Sequence, residues 1–234
     1  MNIYQTFENL GAKFYHSPEV FAKKIATIRA YIFDWDGVFN DGSKTEIGSP
    51  YSEIDSMGTN MLRFATWLQH KQVAATAIIT GENNKPAFYL AQRERFQAVY
   101  FKFSSKQAAF THFLEQNKLQ ASEVCFCFDD ILDLSVAEQC GLRILVRRDA
   151  SPLFLAYVEK NHLADYRTAN IGGKFAVREL MELILGVQNI YDLVIQKRQY
   201  FDKDYQTYLA TRNEQKTSFF VSEKAQIQEI KMEL

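Results

Sequence analysis

The sequence predicts an α/β fold with a doubly wound parallel sheet, and two observations carry that prediction. Short apolar runs at residues 31–33, 73–79, 99–101, 124–128 and 144–146 alternate with stretches of helical length and pattern, the order expected of βαβ units. The first, second and fourth of these runs end abruptly in a polar residue, Asp34, Thr80 and Asp129. Ligands of open parallel sheets sit at the carboxyl ends of such strands.

Residues 1–15 read as irregular or weakly helical. Ser17 and Pro18 mark a helix start, an N-cap followed by a residue with no N–H to lose. Val20, Phe21, Ile25 and Ile28 give that helix an apolar face. The run 31–33 follows as a buried strand. Residues 39–55 are polar and punctuated by Gly42, Gly48 and Pro50, and read as a small β-hairpin flap over the strand ends. Met61, Leu62, Phe64, Ala65 and Leu68 recur at helical spacing over 59–70. Further helices are expected at 87–93, 106–114 and 132–139, with Gly141 stopping the last, and Ser151-Pro152 opens another. Only the flap and one helix fit between Asp34 and Thr80, and one helix and one strand between Thr80 and Lys106, so no cap domain is expected. Residues 189–234 read as a helical C-terminal extension to a domain spanning 1–188. Ile190, Leu193, Val194, Ile195 and Tyr205 suit one long helix over 190–209, while 211–234 is polar enough to extend or fray.

Of 234 residues, 47% are hydrophobic and 24% charged, with a net charge of −1. That is ordinary for a globular domain and lacks the positive excess that draws a chain to nucleic acid. No apolar run is long enough to span a bilayer, and residues 1–14 hold no signal-peptide core. The expectation is a cytoplasmic protein with no membrane partner. The 19 Phe and 12 Tyr are enough for a large core or a protein interface. Cys125, Cys127 and Cys140 form no disulfide framework and read as buried core thiols.

The stretch 31–42, YIFDWDGVFNDG, organises the chain. Asp34 and Asp36 stand two apart, so in extended geometry their carboxylates share a face. Gly37 lets the chain leave the strand sharply. Two carboxylates packed at a strand end require a cation or a proton between them. Read singly, the later residues are ordinary: Thr80 would serve as a helix cap, Lys106 as a solvated helix residue, Asp129-Asp130 as a turn. Their joint order is what carries information.

Asp-x-Asp, Thr, Lys and Asp-Asp, in that order, resemble the four motifs of the haloacid dehalogenase (HAD) superfamily, over about residues 28–188. DWDGVFNDG is similar to DxDGVxTDG, the first motif of a capless branch, the 3-deoxy-manno-octulosonate 8-phosphate phosphatases and their relatives. Asp55-Ser56-Met57-Gly58 resembles that branch's DGxG, and GGKFAVRE at 172–179 its GGxGAxRE tail. The resemblance implies a HAD-like Rossmannoid sheet and a homo-oligomer, a tetramer, whose neighbours close the site in place of a cap. It implies a Mg2+-dependent phosphomonoester hydrolase acting on a small phosphorylated sugar or sugar acid. Asp34 is then the nucleophile and Asp36 the acid–base group. Asp34, Asp129 and the Asp36 carbonyl are the metal ligands, and Thr80, Gly81 and Lys106 hold phosphate. Asp130 and Asp133 support Lys106 or a metal-bound water, and Asp55, Glu82 and Arg178 are candidate substrate contacts.

Four positions depart from that branch. Glu82 stands where it usually has Arg, Phe175 and Phe128 where it has Gly, and Asn40 where it has Thr. Replacing a cation by an anion suits a different sugar phosphate, whereas an acid at a helix start is favoured by the dipole alone; both readings stay open. Response-regulator receiver domains also join an acidic cluster, a Thr, a Lys and Mg2+, but there the Lys comes last, and here Lys106 precedes Asp129. The remaining alternative is a HAD-fold interaction protein without catalysis, against which stands the presence of every core catalytic residue.

Overall fold

The computed structural model describes residues 2–223 and 226–232. Helix α1 (Ile3–Asn9) leads into a two-residue strand, β1 (Lys13–Phe14). Ser17 caps α2 (Pro18–Ala26), its side chain accepting from the Val20 N–H. The wholly buried β2 (Ala30–Phe33) follows. Then come α3 (Glu53–His70), β3 (Ala75–Ile79), α4 (Lys85–Glu94), β4 (Ala98–Phe101), α5 (Lys106–Asn117) and β5 (Val124–Phe128). The next elements are α6 (Leu134–Ala137), β6 (Leu142–Arg147), α7 (Pro152–Lys160), β7 (Tyr166–Ile171) and α8 (Ala176–Val187). The chain continues through α9 (Tyr191–Gln199), α10 (Lys203–Asn213), β8 (Ser218–Glu223) and β9 (Gln226–Ile230).

The nine strands among the described residues lie in one sheet, ordered β1-β7-β6-β5-β2-β3-β4-β8-β9. The edge pairs β1–β7 and β8–β9 are antiparallel, and the pairs between them are parallel. The chain runs outward from β2 through β3 and β4, then returns to lay β5 on the other side of β2. That reversal opens a crevice at the carboxyl ends of β2 and β5. Side chains alternate across the sheet: Tyr31, Phe33, Cys125 and Cys127 join α2, α3, α4 and α8 in one core, and Ile32, Phe126 and Phe128 join α5, α6 and α7 in the other. The three cysteines are free and buried. No helix among the described residues is long and apolar enough to cross a membrane.

Two expectations need correction. The flap is not a β-hairpin: its residues make a single bridge, Thr45 to Gly48. Local bonds take the place of a ladder, since Asp41 accepts from the Ser43 N–H and the Thr45 hydroxyl donates to the Gly48 carbonyl. The helical extension is likewise not one helix. It breaks at Phe201, whose φ is +48, and restarts where Asp202 caps α10. The polar stretch beyond it forms β8 and β9. Phe219 and Val221 are buried on one face of β8, and Phe220 stacks on Tyr100 with ring centroids 5.0 Å apart. The helices dock through Tyr205 and Tyr208, which pack on Phe64, and through Arg212, whose Nη1 lies 2.9 Å from Glu94 Oε2.

A buried carboxylate ties the other end of the sheet. Asp165 accepts from the Arg143 N–H, Nε and Nη2 at 2.6–3.1 Å, with His16 Nε2 at 2.7 Å and Lys24 Nζ at 3.4 Å. Burial alone would raise its pKa, but the Arg143 bonds and the Arg143 and Lys24 charges override that and hold the carboxyl below its ordinary value. A depressed folded-state pKa contributes stability above the unfolded-state value and loses it as pH falls through the folded one. Asp165→Asn, which leaves Arg143 facing a neutral amide, is therefore expected to lower unfolding free energy by about 3 kcal/mol at pH 7. The difference from wild type in urea titrations should shrink below about pH 4.

Candidate active site

Asp34 is the first residue past β2, held in line by its N–H, which donates to the Cys127 carbonyl at 2.9 Å. Its side chain is nearly buried, and its Oδ1 lies 2.6 Å from Lys106 Nζ. Lys106 opens α5 and is buried too. The same ammonium reaches Asp133 Oδ1 at 2.6 Å, and Asp133 Oδ2 accepts from the Asp130 N–H at 3.1 Å and the Asp129 N–H at 3.4 Å. One lysine thus links the end of β2 to the turn after β5. Burial would lower the Lys106 pKa, but Asp34 and Asp133 outweigh it and raise it, so Lys106 stays charged.

Carboxylate oxygens of Asp34, Asp129 and Asp133 all lie within 4.8 Å of one another. Asp133 has its oxygens committed. Asp129 does not: it is 1% exposed, and neither of its oxygens accepts a hydrogen bond. Its one counter-charge among the described residues is Arg148, whose Nη2 lies 3.0 Å from Oδ2. Burial and the neighbouring Asp34 push the Asp129 carboxyl above its ordinary value, against the pull of Arg148. Burial and Asp133 push Asp34 up as well, against Lys106. A pair of hard oxygen donors, buried and partly orphaned, fits a divalent cation such as Mg2+.

Backbone shape is what lets these groups approach. Gly37 has φ +83, and a Cβ there would lie 2.0 Å from Asp129 Oδ2. Gly172, from the GGK segment, backs the same loop: its Cβ would lie 2.0 Å from the Gly37 carbonyl oxygen. Asn40 staples the turn, donating to the Trp35 carbonyl at 3.1 Å and accepting from the Gly42 N–H at 2.9 Å. An amide can do both at once, which gives Asn a structural use at this position.

Asp36 does not share the face of Asp34. The strand ends at Phe33, so the alternation of an extended chain no longer applies. Its carboxylate turns toward the flap, accepting from Ser49 Oγ at 2.8 Å and Asn84 Nδ2 at 3.2 Å, with Lys44 Nζ at 3.4 Å. Thr80 is buried at the end of β3, and its Oγ1 accepts from the Glu82 N–H and from Asn84 Nδ2. A Cβ on Gly81 would meet nothing within 4 Å, so the backbone there is open. The Glu82 side chain is 64% exposed and, among the described residues, comes no nearer to a cation than 3.8 Å, at Lys44. Asp130 faces outward, accepting from the Ile131 N–H and Arg148 Nη1, and does not touch Lys106.

Asp55, in the first turn of α3, bonds to α8. It is fully buried, and its Oδ1 accepts from the Arg178 N–H at the start of α8; burial pushes its pKa up to about 6. Gly58, one turn on, stands where a Cβ would come 3.1 Å from Arg178 Cα. The Asp55–Gly58 stretch therefore seats α8 on α3, and the Arg178 side chain pairs with Glu182 at 2.9 Å. Of the departures, Phe128 is core, stacked on Phe126, and Phe175 sits at φ +71 before α8, 41% exposed. Sequence reading missed Arg148, Ser49, Lys44 and Asn84. The only signal for any of them was the Arg147-Arg148-Asp149 cluster ending a strand.

No family model matches the chain. The 3-deoxy-D-manno-octulosonate 8-phosphate phosphatase KdsC of Escherichia coli is 31% identical over 176 residues, covering 75% of this chain and 88% of that protein. Its namesake in Yersinia pestis is 31% identical over 172 residues, covering 71% and 84%. The fold is similar to a protein of Legionella pneumophila described as a HAD superfamily (subfamily III A) hydrolase, with a TM-score of 0.65, 29% identity, and 78% and 95% of the two chains covered. It is also similar to the 3-deoxy-D-manno-octulosonate 8-phosphate phosphatase of Moraxella catarrhalis, solved with magnesium ion, phosphate ion and a KDO molecule; the TM-score is 0.64, with 25% identity, and 78% and 99% covered. On the extent of these matches, the chain belongs to the 3-deoxy-D-manno-octulosonate 8-phosphate phosphatase family of the haloacid dehalogenase superfamily.

Proposed function

We propose that the protein is a Mg2+-dependent phosphomonoester hydrolase that works through an aspartyl-phosphate on Asp34. The observation that carries the reading is the pairing of Asp34 with Lys106 beside an Asp129 whose oxygens accept no hydrogen bond. A divalent cation held by Asp34, Asp129 and the Asp36 carbonyl supplies the charge neutralisation that lets a carboxylate meet a phosphate. Lys106 supplies a point charge to the phosphoryl oxygens. The Thr80 hydroxyl already accepts two hydrogen bonds, which leaves its own O–H to donate.

Asp34 attacks phosphorus, and the bond from phosphorus to the leaving oxygen breaks as Asp36 gives that oxygen its proton. Asp36, now ionised, takes a proton from water. The water oxygen attacks phosphorus, the bond to Asp34 breaks, and phosphate is released. Ser49 and Asn84 hold the Asp36 carboxyl through both steps. Asp133 orients Lys106, and the Gly81 backbone borders the phosphate.

The substrate we infer is a small phosphorylated sugar or sugar acid, supported by the family and by the missing cap. Glu82 at the mouth supports a preference other than 3-deoxy-D-manno-octulosonate 8-phosphate. The same missing cap, with the exposed apolar Ile47, Ile54, Met57 and Phe175, supports a homo-oligomer, in the first instance a tetramer. Free buried thiols suit a reducing cytoplasm.

Aryl phosphate hydrolysis should require Mg2+ and stop with EDTA. Asp34→Asn should lower kcat on the order of a thousandfold or more, with an unchanged circular dichroism spectrum; retained turnover with metal bound would overturn the nucleophile. Asp36→Asn should slow turnover by roughly a hundredfold to ten-thousandfold. In a screen of sugar phosphates, the octulosonate 8-phosphate should not be the best substrate by kcat/KM; if it is, Glu82 does not set preference. Light scattering should find the active species larger than a monomer.

A further inference from the structure

Arg148 lies one residue past β6 and turns its guanidinium into the crevice. Its Nη2 stands 3.0 Å from Asp129 Oδ2, and its Nη1 donates to Asp130 Oδ2 at 3.0 Å. A Cβ on Gly42 would meet Nη2 at 3.2 Å, so the same group closes against the flap loop. Lys106 is committed to Asp34 and Asp133. Among the described residues, Arg148 is the only cation that reaches Asp129.

The contact is unusual for an arginine–carboxylate pair. At 3.0 Å it carries charge attraction, yet Asp129 Oδ2 accepts no hydrogen bond. The aligned, fork-like bonding that makes such pairs hard to break is absent. The aligned bond goes instead to Asp130, which is half exposed and faces outward. Arg148 is therefore tethered on the outside and leans inward by charge alone.

We propose that Arg148 is a displaceable counter-cation, standing on Asp129 where a divalent ion binds and giving way to that ion while keeping its bond to Asp130. Two positive centres cannot share one carboxylate oxygen without strong repulsion. The buried Asp129 also needs a positive neighbour when no ion is present. The competing role is a permanent clamp, in which Arg148 holds Asp129 in place for the ion as well. The two roles differ in sign: a competitor's removal tightens ion binding, and a clamp's removal weakens it.

The test rests on the divalent-cation reading above and can fail separately from it. Mg2+ is titrated calorimetrically into the chelator-stripped full chain, for wild type, Arg148→Met, Arg148→Gln and Arg148→Lys. The expected result is an Mg2+ Kd about tenfold lower in Arg148→Met, with Arg148→Lys near wild type. The rise in Tm on adding Mg2+ should also be larger in Arg148→Met. Arg148→Gln keeps a donor for Asp130 without the charge, and gives the same readout if the Met variant does not fold. Binding equal to wild type or weaker in a folded neutral variant overturns the proposal and makes Arg148 a clamp. If wild type takes up no Mg2+ at all, the divalent-cation reading itself falls, and this proposal with it.

Discussion

Lys106 sits between Asp34 and Asp133, within 2.6 Å of each, and the rest of the site is arranged around that buried charge balance. Three carboxylates converge at the ends of two neighbouring strands, and a single ammonium cannot neutralise them all. The remaining negative charge falls on Asp129, whose buried oxygens accept no hydrogen bond and have Arg148 as their neighbouring cation. Such a group is costly unless a cation comes to it. The sheet order explains why the three meet at all, since β2 and β5 are adjacent, parallel and in register from Ala30 to Phe33.

Around this centre the chain uses backbone more than side chains. Gly37 and Gly172 bring two loops into contact that a single methyl group on either would separate. Glu179 then fixes the second loop, accepting from the Tyr166 hydroxyl and from the Ala169 and Asn170 N–H groups. Asp55 does similar work for α8. Part of the motif pattern shared with the family thus holds backbone in shape, at the nucleophile loop and at the start of α8.

The parallel sheet and the grouping of Asp34, Lys106, Asp129 and Asp133 were legible because each rests on a local signal. A run such as Val124–Phe128, buried along its whole length, is apolar throughout, and its polar stop is visible. Direction was not legible. Asp36 leaves the strand geometry one residue earlier than its spacing suggests, and its partners, Ser49 and Asn84, come from segments that only the fold brings near. Arg148 depends in the same way on where β6 ends. Strands β8 and β9 were hidden by composition: an edge pair buries only alternate residues, and Gln226–Ile230 buries none fully, so the tail reads as polar chain. The bond from Asp55 to the Arg178 N–H was not legible either, because a motif says that a residue matters without saying what it touches.

The pairing of β8 with β4 bears on how the chain comes to be folded. Phe219 covers Phe88 on α4 and Phe220 covers Tyr100 on β4, elements made long before them. Until they arrive, β4 is an open edge with aromatic neighbours, the kind of surface on which nascent chains stick to one another. Closing it joins residues far apart in sequence, which is slow. The order of synthesis therefore puts the nucleophile strand in place early and leaves the sheet sealed last, so the growing chain passes through a stage that holds its catalytic residues yet still needs shielding from its neighbours.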